Sequence, residues 1–559
     1  MQSINYRKAL IQNRTELNLG GLNPCPNKGT FTISGRLPPK WRNISSITLI
    51  YMKKNNLISL FLMLLSFSGC GDLFSNSTNN EEPKLEVGTD FISECGISSN
   101  GAVFSFSFDA NGEWNISSKE DWITISPASG NGPASVEVTV APYEDLAAKN
   151  IRSAWVDLSM DYLFERIKVS QLPIKPTLDF SLGTDLTPKV SSKGGTFSFS
   201  FDTNKEWRAV GFLPNQLNHS CDWITVSPTS GKGPATIEVT VAPNNTVGPR
   251  VHSVILEVCA GQNQACECTK AITITQDSEQ PVPDNVIYYT SSSDAVVRLT
   301  YAVDFTGSKP QDTFGAKEVT NTYRNGLGTI TFDGPVTRIP NEALTSEKMK
   351  SIIIPNCVTS IGEGAFSGSG ITSFVVPDGV TEIGTFAFAG TRLQDISIPD
   401  NIETIGNWFT GTFLWAFNFL DGVSNIEENA FYNCQTNYAY VTIPEGVTSI
   451  SKRMFSVAYF AYIELPKSVK EIKEYAFAYS RLKSITIHDN ITSIENNAFD
   501  DCSDLESVFF ESMTPPTFGD NVFGRTSPPI YVPAAALNAY KSSPGLEKYQ
   551  DRIMAYFGE

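Results

Sequence analysis

Few residues of this 559-residue chain are of types that do covalent chemistry, and those few are scattered. The three histidines, His219, His252 and His488, stand apart; two sit in alternating strand patterns, and His488 is expected exposed at a corner of a repeat. No Gly-x-Ser-x-Gly elbow, His-Glu-x-x-His pair or glycine-rich phosphate loop occurs. The densest thiol cluster is Cys259, Cys266 and Cys268, with Cys221 and His219 upstream. Soft sulfur ligands beside an imidazole could hold zinc, but the Cys-x₂-Cys knuckle is missing. In an oxidising compartment a disulfide within the Cys259–Cys268 hairpin, or to Cys221, is an alternative, and free thiols are a third. No metal site and no cofactor are assigned. Acids such as Glu363, Glu382 and Glu403 fall at turns where solvation is the default, so the chain reads as no enzyme.

One cysteine has a clearer chemistry. Met52 opens a second start, followed by Lys53 and Lys54, then an apolar run from Leu57 to Phe67 too short to span a bilayer. It ends in Phe67-Ser68-Gly69-Cys70. Small residues before a Cys resemble the lipobox of bacterial lipoproteins, which implies a signal peptide over 52–69 and lipid attachment at Cys70. Phe67 departs from the usual Leu. Acyl chains there would anchor the chain by burying CH₂ groups, each contributing about 0.8 kcal/mol. Residues 1–51 read as upstream sequence from a mis-chosen start. Residues 70–83, rich in Ser, Asn and Thr, read as a flexible tether. The expected location is the outer membrane, facing the cell exterior.

Charge narrows the partners. The formal net charge is −17, and from Cys70 onward 33 basic residues face 58 acidic ones. Such a surface repels phosphate backbones, so no nucleic-acid partner is expected. The remaining partners are a protein or glycan ligand on host or neighbouring cells, and the outer membrane through the lipid.

The elements that would carry a binding surface are repeats. Trp122-Ile-Thr-Ile-Ser-Pro127-Ala-Ser-Gly130 returns 101 residues later as Trp223-Ile-Thr-Val-Ser-Pro228-Thr-Ser-Gly231. Phe104-Ser-Phe-Ser-Phe108 pairs with Phe197-Ser-Phe-Ser-Phe201, an alternation that marks a half-buried strand. Trp114 and Trp207 follow, then Arg152 or Arg250, and each unit closes on an alternating strand ending in Gln171 or Gln276. Two Ig-like β-sandwiches are expected, over 84–175 and 177–278. They resemble the BACON domain of Gram-negative bacteria, whose name implies carbohydrate binding. The tryptophans are either core residues or a sugar platform, and the pair of modules is either a binder or a spacer.

After a linker over 279–285 a shorter period begins. Phe366, Phe388, Phe409, Phe431, Phe455, Phe477 and Phe499 recur at 21 to 24 residues, with Leu344 before and Phe523 after. A small residue, from Ser369 to Cys502, sits three places after each Phe. Ile-x-Ile-Pro and Val-x-x-Ile segments march in step, as in Ile396-x-Ile398-Pro399 and Val380-x-x-Ile383. One coil cannot bury its own apolar edge, whereas stacked coils line each column into a continuous core. The string Val380-Thr-Glu-Ile383-Gly-Thr-Phe-Ala-Phe388 resembles BspA-like leucine-rich repeats, over 328–525, with caps over 286–327 and 526–559. The expected fold class is mainly β: two sandwiches, then a solenoid with a parallel sheet. The resemblance implies adhesion.

Within each Ile-x-Ile strand the middle residue points away from the core, so this column is the expected outward face. Tyr440 and Tyr462 should stand one coil apart at its edge, near Trp415, Tyr438 and Tyr459, in the coils of irregular length. These five are the candidate ligand-binding residues. Clustered aromatics bury much area at low entropy cost; alternatively they fill gaps in uneven coils. The sequence thus points to an adhesin-type surface lipoprotein, with glycan capture for a polysaccharide uptake system, or a passive spacer, as alternatives.

Overall fold

The computed structural model describes residues 82–144, 151–174, 177–181, 183–210, 221–259, 266–299, 314–414, 422–435 and 440–558, and the backbone of three short upstream strands. Cys70 and the tether as far as residue 81 lie outside the described residues, as do the side chains of residues 52–69. The upstream strands, Thr30–Thr32, Ile47–Ile50 and Met63–Leu65, form an antiparallel sheet of their own. The second compact unit begins at Pro83 and holds everything else.

The fold is mainly β. In the first sandwich one sheet runs Leu85–Val87, Ala102–Ala110, Ala134–Val140, Ile123–Ser126. The facing strands are Glu94–Ile97, Leu163–Gln171, Arg152–Met160, Glu113–Ser118 and Ser129–Asn131, in that order. The second sandwich repeats this order strand for strand, from Asp179–Phe180 to Cys266–Gln276. The Phe-Ser alternation does what period two requires: Phe106, Phe108, Phe199 and Phe201 are buried between the sheets. Trp114 packs edge-on against Phe108 and Trp207 edge-on against Phe201, each at 5.0 Å and 87°. The glycine of the Ser-Pro-x-Ser-Gly turn makes room for that ring. A Cβ at Gly130 would stand 2.4 Å from Trp114 Cζ2, and one at Gly231 2.8 Å from Trp207 Cζ2.

The solenoid stacks as its columns dictate. Phe366, Phe388, Phe409, Phe431, Phe455, Phe477, Phe499 and Phe523 form one file, with successive centroids 5.2 to 5.8 Å apart and ring planes within 15° of parallel. Ile361, Ile405, Ile426, Ile450, Ile472 and Ile494 make a second buried file on short parallel strands. The small residues Ser369, Thr391, Thr412, Cys434, Ala458, Ser480 and Cys502 are all buried where coils crowd. At the C-terminal end, short helical turns over Ala534–Arg552 close the core, with Tyr540 and Tyr549 buried beneath them.

The last strand does more than close the stack. Ile553–Phe557 pairs in parallel with Ile530–Pro533 on one side and with Glu94–Ile97 of the first sandwich on the other. Solenoid and sandwich thereby share one eleven-stranded sheet. The second sandwich lies elsewhere on the solenoid: Arg250–Cys259 and Cys266–Gln276 pack against the coil strands Ser373–Val375, Asp395–Ser397 and Tyr440–Thr442.

Candidate functional site

The described cysteines other than Cys357, and His488, are buried. Cys434 and Cys502 belong to the small-residue file. The Cys434 thiol donates to the Phe409 carbonyl at 2.9 Å, and that of Cys502 to the Phe477 carbonyl at 3.1 Å. Burial pushes both thiols up to about 12, far from a nucleophile's range. Cys95, at the joint between sandwich and solenoid, is raised to about 12 for the same reason. Cys221 and Cys268 are buried in the second sandwich core, and burial raises Cys221 to about 11. Among the described residues no group of three His, Cys, Asp or Glu could hold a metal ion. The side chains of Cys259 and Cys266, and all of His219, fall outside the described residues.

His488 is not at an exposed corner as expected; it is buried. It fills the place that Pro takes in other coils, and its Nε2 lies 2.9 Å from the Pro466 carbonyl of the coil before. Since a carbonyl only accepts, Nε2 carries the proton, and Nδ1 accepts from the Asn490 amide at 3.3 Å. Burial, then the nearby Lys467, lowers its pKa. Glu363, Glu382 and Glu403 are exposed, as expected of solvated turn acids. The neighbouring turn acids are salt-bridged: Lys452 to Glu474 at 2.6 Å, and Lys473 to Glu471 at 2.7 Å and Glu495 at 3.1 Å.

The sandwich tryptophans divide into two kinds. Trp114 and Trp207 are buried. Trp122 and Trp223 are half-buried, each under a guanidinium: Arg152 over Trp122 and Arg250 over Trp223, both at 4.2 Å. Each Arg also donates from Nε to the closing Gln at 2.8 Å and from Nη2 to the carbonyls of the Ala-Pro pair ending the previous strand. The repeated Trp, Ala-Pro, Arg and Gln positions are therefore one internal clamp. The spacing of these residues was visible in the sequence, but their mutual contact was not.

The outward strand column is partly covered where Tyr462 lies. Tyr440 and Tyr462 are cross-coil partners in parallel register. Tyr462 is half-buried, and the side chain of Tyr440 falls outside the described residues, as do Trp415 and Tyr438. The second sandwich packs against this face, with side-chain contacts across it. Lys189 stands 3.6 Å from both Asp378 and Asp400, His252 3.2 Å from Asp395, and Lys270 3.8 Å from Glu464. Sequence reading missed this contact because each of these residues is isolated in its own segment. Trp408, in the same irregular coils, is buried and donates to the Ile383 carbonyl at 3.0 Å, a filler of the core. Tyr459 is exposed, on a different edge.

Comparison with known proteins agrees with this architecture. Residues 322–438 and 424–529 match the family model described as a BspA type leucine-rich repeat region. Residues 218–277 match the BACON model, a putative binding domain, and residues 93–146 a viral BACON domain. No curated protein matches the chain. Among solved structures, a leucine-rich cell surface protein of Faecalibacterium prausnitzii is 30% identical over 36% of this chain and 56% of its own, with a TM-score of 0.25. A leucine-rich repeat protein of Bacteroides ovatus is 19% identical over 49% of this chain and 76% of its own, at 0.23. A Bacteroides ovatus xyloglucanase is 23% identical over 20% of this chain and 22% of its own, at 0.15. The chain thus spans about a fifth of the xyloglucanase and little over half of the Faecalibacterium protein. Among the described residues no helix is long and apolar enough to cross a membrane.

Proposed function

We propose that this chain, which carries BspA-type leucine-rich repeats and BACON-type domains, is a non-enzymatic surface lipoprotein with adhesin-type binding of host or cell-surface protein through its solenoid. The observation that carries the reading is the unbroken file of stacked phenylalanines. Every coil spends its interior on the ladder, which leaves only coil edges to meet another molecule. The families matched are repeat and binding domains rather than catalytic ones. Lipid attachment at Cys70 would hold the mature chain to the outer membrane.

A pull-down from extracellular matrix and mucin with mature protein, residues 70–559, tests the binding claim; recovery of no matrix or mucin component would end it. Replacing Cys70 with Ser should release the protein from the membrane fraction, and unchanged membrane retention would remove the anchor. A second reading, glycan capture, is favoured by exposed aromatic side chains on one edge of the solenoid.

A further inference from the structure

Three features stand outside the account so far: an aromatic cluster on the first sandwich, an open cleft beside Glu474 and Glu495, and a run of aromatics on the solenoid's turn edge. The first is a single patch that does not repeat along an axis, with Arg166 over both Trp155 and Phe164 and paired with Asp157. In the second, the Glu474 amide already donates to Glu495, and Glu495 pairs with Lys473. The third is different in kind.

The residues two and four places after each ladder Phe flank the buried small residue and face outward. In the fourth-place column, successive coils contribute Arg392, Phe413, Gln435, Tyr459 and Arg481. Beside them stand Tyr432, one place after Phe431, and Tyr479, two places after Phe477. Phe413, Tyr432, Tyr459 and Tyr479 are each 36–46% exposed, four large aromatics on four consecutive coils. The backbone fixes their spacing. The Gln435 amide donates to the Thr412 carbonyl at 2.9 Å, Tyr459 to Cys434 at 2.9 Å, and Arg481 to Ala458 at 3.1 Å. Gln435 and Tyr459 also form a parallel bridge. Column neighbours are therefore about 4.8 Å apart, and Phe413 and Tyr459 about 10 Å apart.

Their orientation is also held. The Arg481 guanidinium lies 4.9 Å over the Tyr459 ring, and that of Arg525 5.1 Å over Tyr479 while pairing with Asp500. Along the axis the column alternates a ring, an amide, a ring and a guanidinium. A matching ligand presents apolar faces and hydrogen-bonding edges in turn, with a repeat near one coil. An extended peptide turns alternate side chains to opposite faces, so those on one face recur about every 6.6 Å and fall out of step with a column spaced about 4.8 Å. A polyanionic backbone is disfavoured by the chain's net charge. A β-linked pyranose chain advances by about one coil per sugar and carries both kinds of surface.

We propose that the turn edge from Phe413 to Arg481 binds an extended, neutral β-linked polysaccharide, with the Phe413 and Tyr459 rings against alternate sugars and Gln435 and Arg481 bonding hydroxyls. This rests on the solenoid's being the binding element and takes the glycan branch of that reading. The test is affinity electrophoresis of mature protein through hydroxyethylcellulose, mixed-linkage β-glucan and galactomannan, with chondroitin sulfate as the anionic contrast and matrix protein pull-down in parallel. Retardation is expected with at least one neutral β-linked polymer. Phe413→Ala and Tyr459→Ala should each weaken it about five- to tenfold, and the pair should abolish it. Tyr459→Phe should retain it, which separates lost stacking from misfolding, and Trp155→Ala on the first sandwich should leave it unchanged. Matrix protein bound with no retardation in any neutral polymer would sink the site and leave the adhesin reading standing. Neither bound would sink both. Retardation indifferent to Phe413→Ala and Tyr459→Ala would place the sugar elsewhere and overturn the proposal.

Discussion

The two sandwiches share one interior and use their exteriors in opposite ways. Aligned by the Arg-Gln clamp, Trp155, Asp157, Arg166 and Lys168 of the first correspond to Ser253, Ile255, Ala271 and Thr273 of the second. In the first copy this outer sheet face is exposed or half-buried, with Arg166 between Trp155 and Phe164 and an ion pair to Asp157 at 2.9 Å. In the second copy all four positions are buried, and the same strands lie against the coils. The edge strands differ as sharply. Gly96 stands beside Ser170, one place before Gln171, and Lys189 stands beside Thr275, one place before Gln276, so the two positions are equivalent. At this position glycine admits the solenoid's last strand, whereas lysine reaches across to two of its aspartates. Core pattern decides that a module folds; residues free of the core decide what it touches.

The largest effect should fall on what the copies share. Trp114→Ala and Trp207→Ala each remove a buried indole packed edge-on against a phenylalanine, and each should cost about 3–5 kcal/mol of its own module's stability. Calorimetry of the purified chain measures both. If one substitution costs under about 1 kcal/mol, the two interiors are not equivalent and the comparison breaks at its base.

Next comes the joint particular to the first copy. A Cβ at Gly96 would lie 2.6 Å from Tyr531 Cε1 and 3.3 Å from Tyr556 Cδ2, and Tyr531 is itself buried. Gly96→Val should cost about 1–3 kcal/mol through overpacking. It should also raise amide exchange at Ile553–Phe557 and at Ser98, whose amide donates to the Phe557 carbonyl at 2.9 Å. The same change at the equivalent position, Lys189→Val, should leave those amides protected. Unchanged exchange after Gly96→Val would mean that the parallel pairing does not hold the two parts together.

How much of this was legible follows from where repetition acts. The phenylalanine file, the small-residue file and the paired sandwiches each repeat in sequence, so a period exposes them. The module contacts do not repeat. Gly96, Lys189, His252 and Lys270 each occur once in their setting, and nothing in the spacing of Gly96 says that Tyr556 will lie beside it. The same limit applies to the coil faces. The outward strand column that carries Tyr440 and Tyr462 is regular, and a regular flat face is also what another sheet can cover. Phe413, Gln435 and Tyr459 stand four places after Phe409, Phe431 and Phe455, a spacing plain in the sequence. Tyr459 is among the sequence candidates; Phe413 and Gln435 are hidden because the residue types of this column change from coil to coil.

The smallest effect belongs to the charges particular to the second copy. Lys189 stands 3.6 Å from Asp378 and from Asp400, with its own side chain half exposed and both acids largely in solvent. Pairs of this kind contribute about 0–1 kcal/mol, because water screens them and long side chains lose freedom in holding them. Lys189→Glu replaces attraction to two aspartates with repulsion, so its cost should sit at the upper end of that range at low salt. It should shrink as salt shortens the screening length from about 30 Å at 0.01 M to about 3 Å at 1 M. The readout is protease cleavage at residues 279–285, which should quicken in dilute buffer and return toward the native rate in high salt. An increase that persists at 1 M salt would mean that Lys189 acts through packing rather than charge. No increase at any salt would mean that the buried face of Ser253, Ile255, Ala271 and Thr273 holds the module without help, which would narrow the difference between the two sandwiches to a single sheet face.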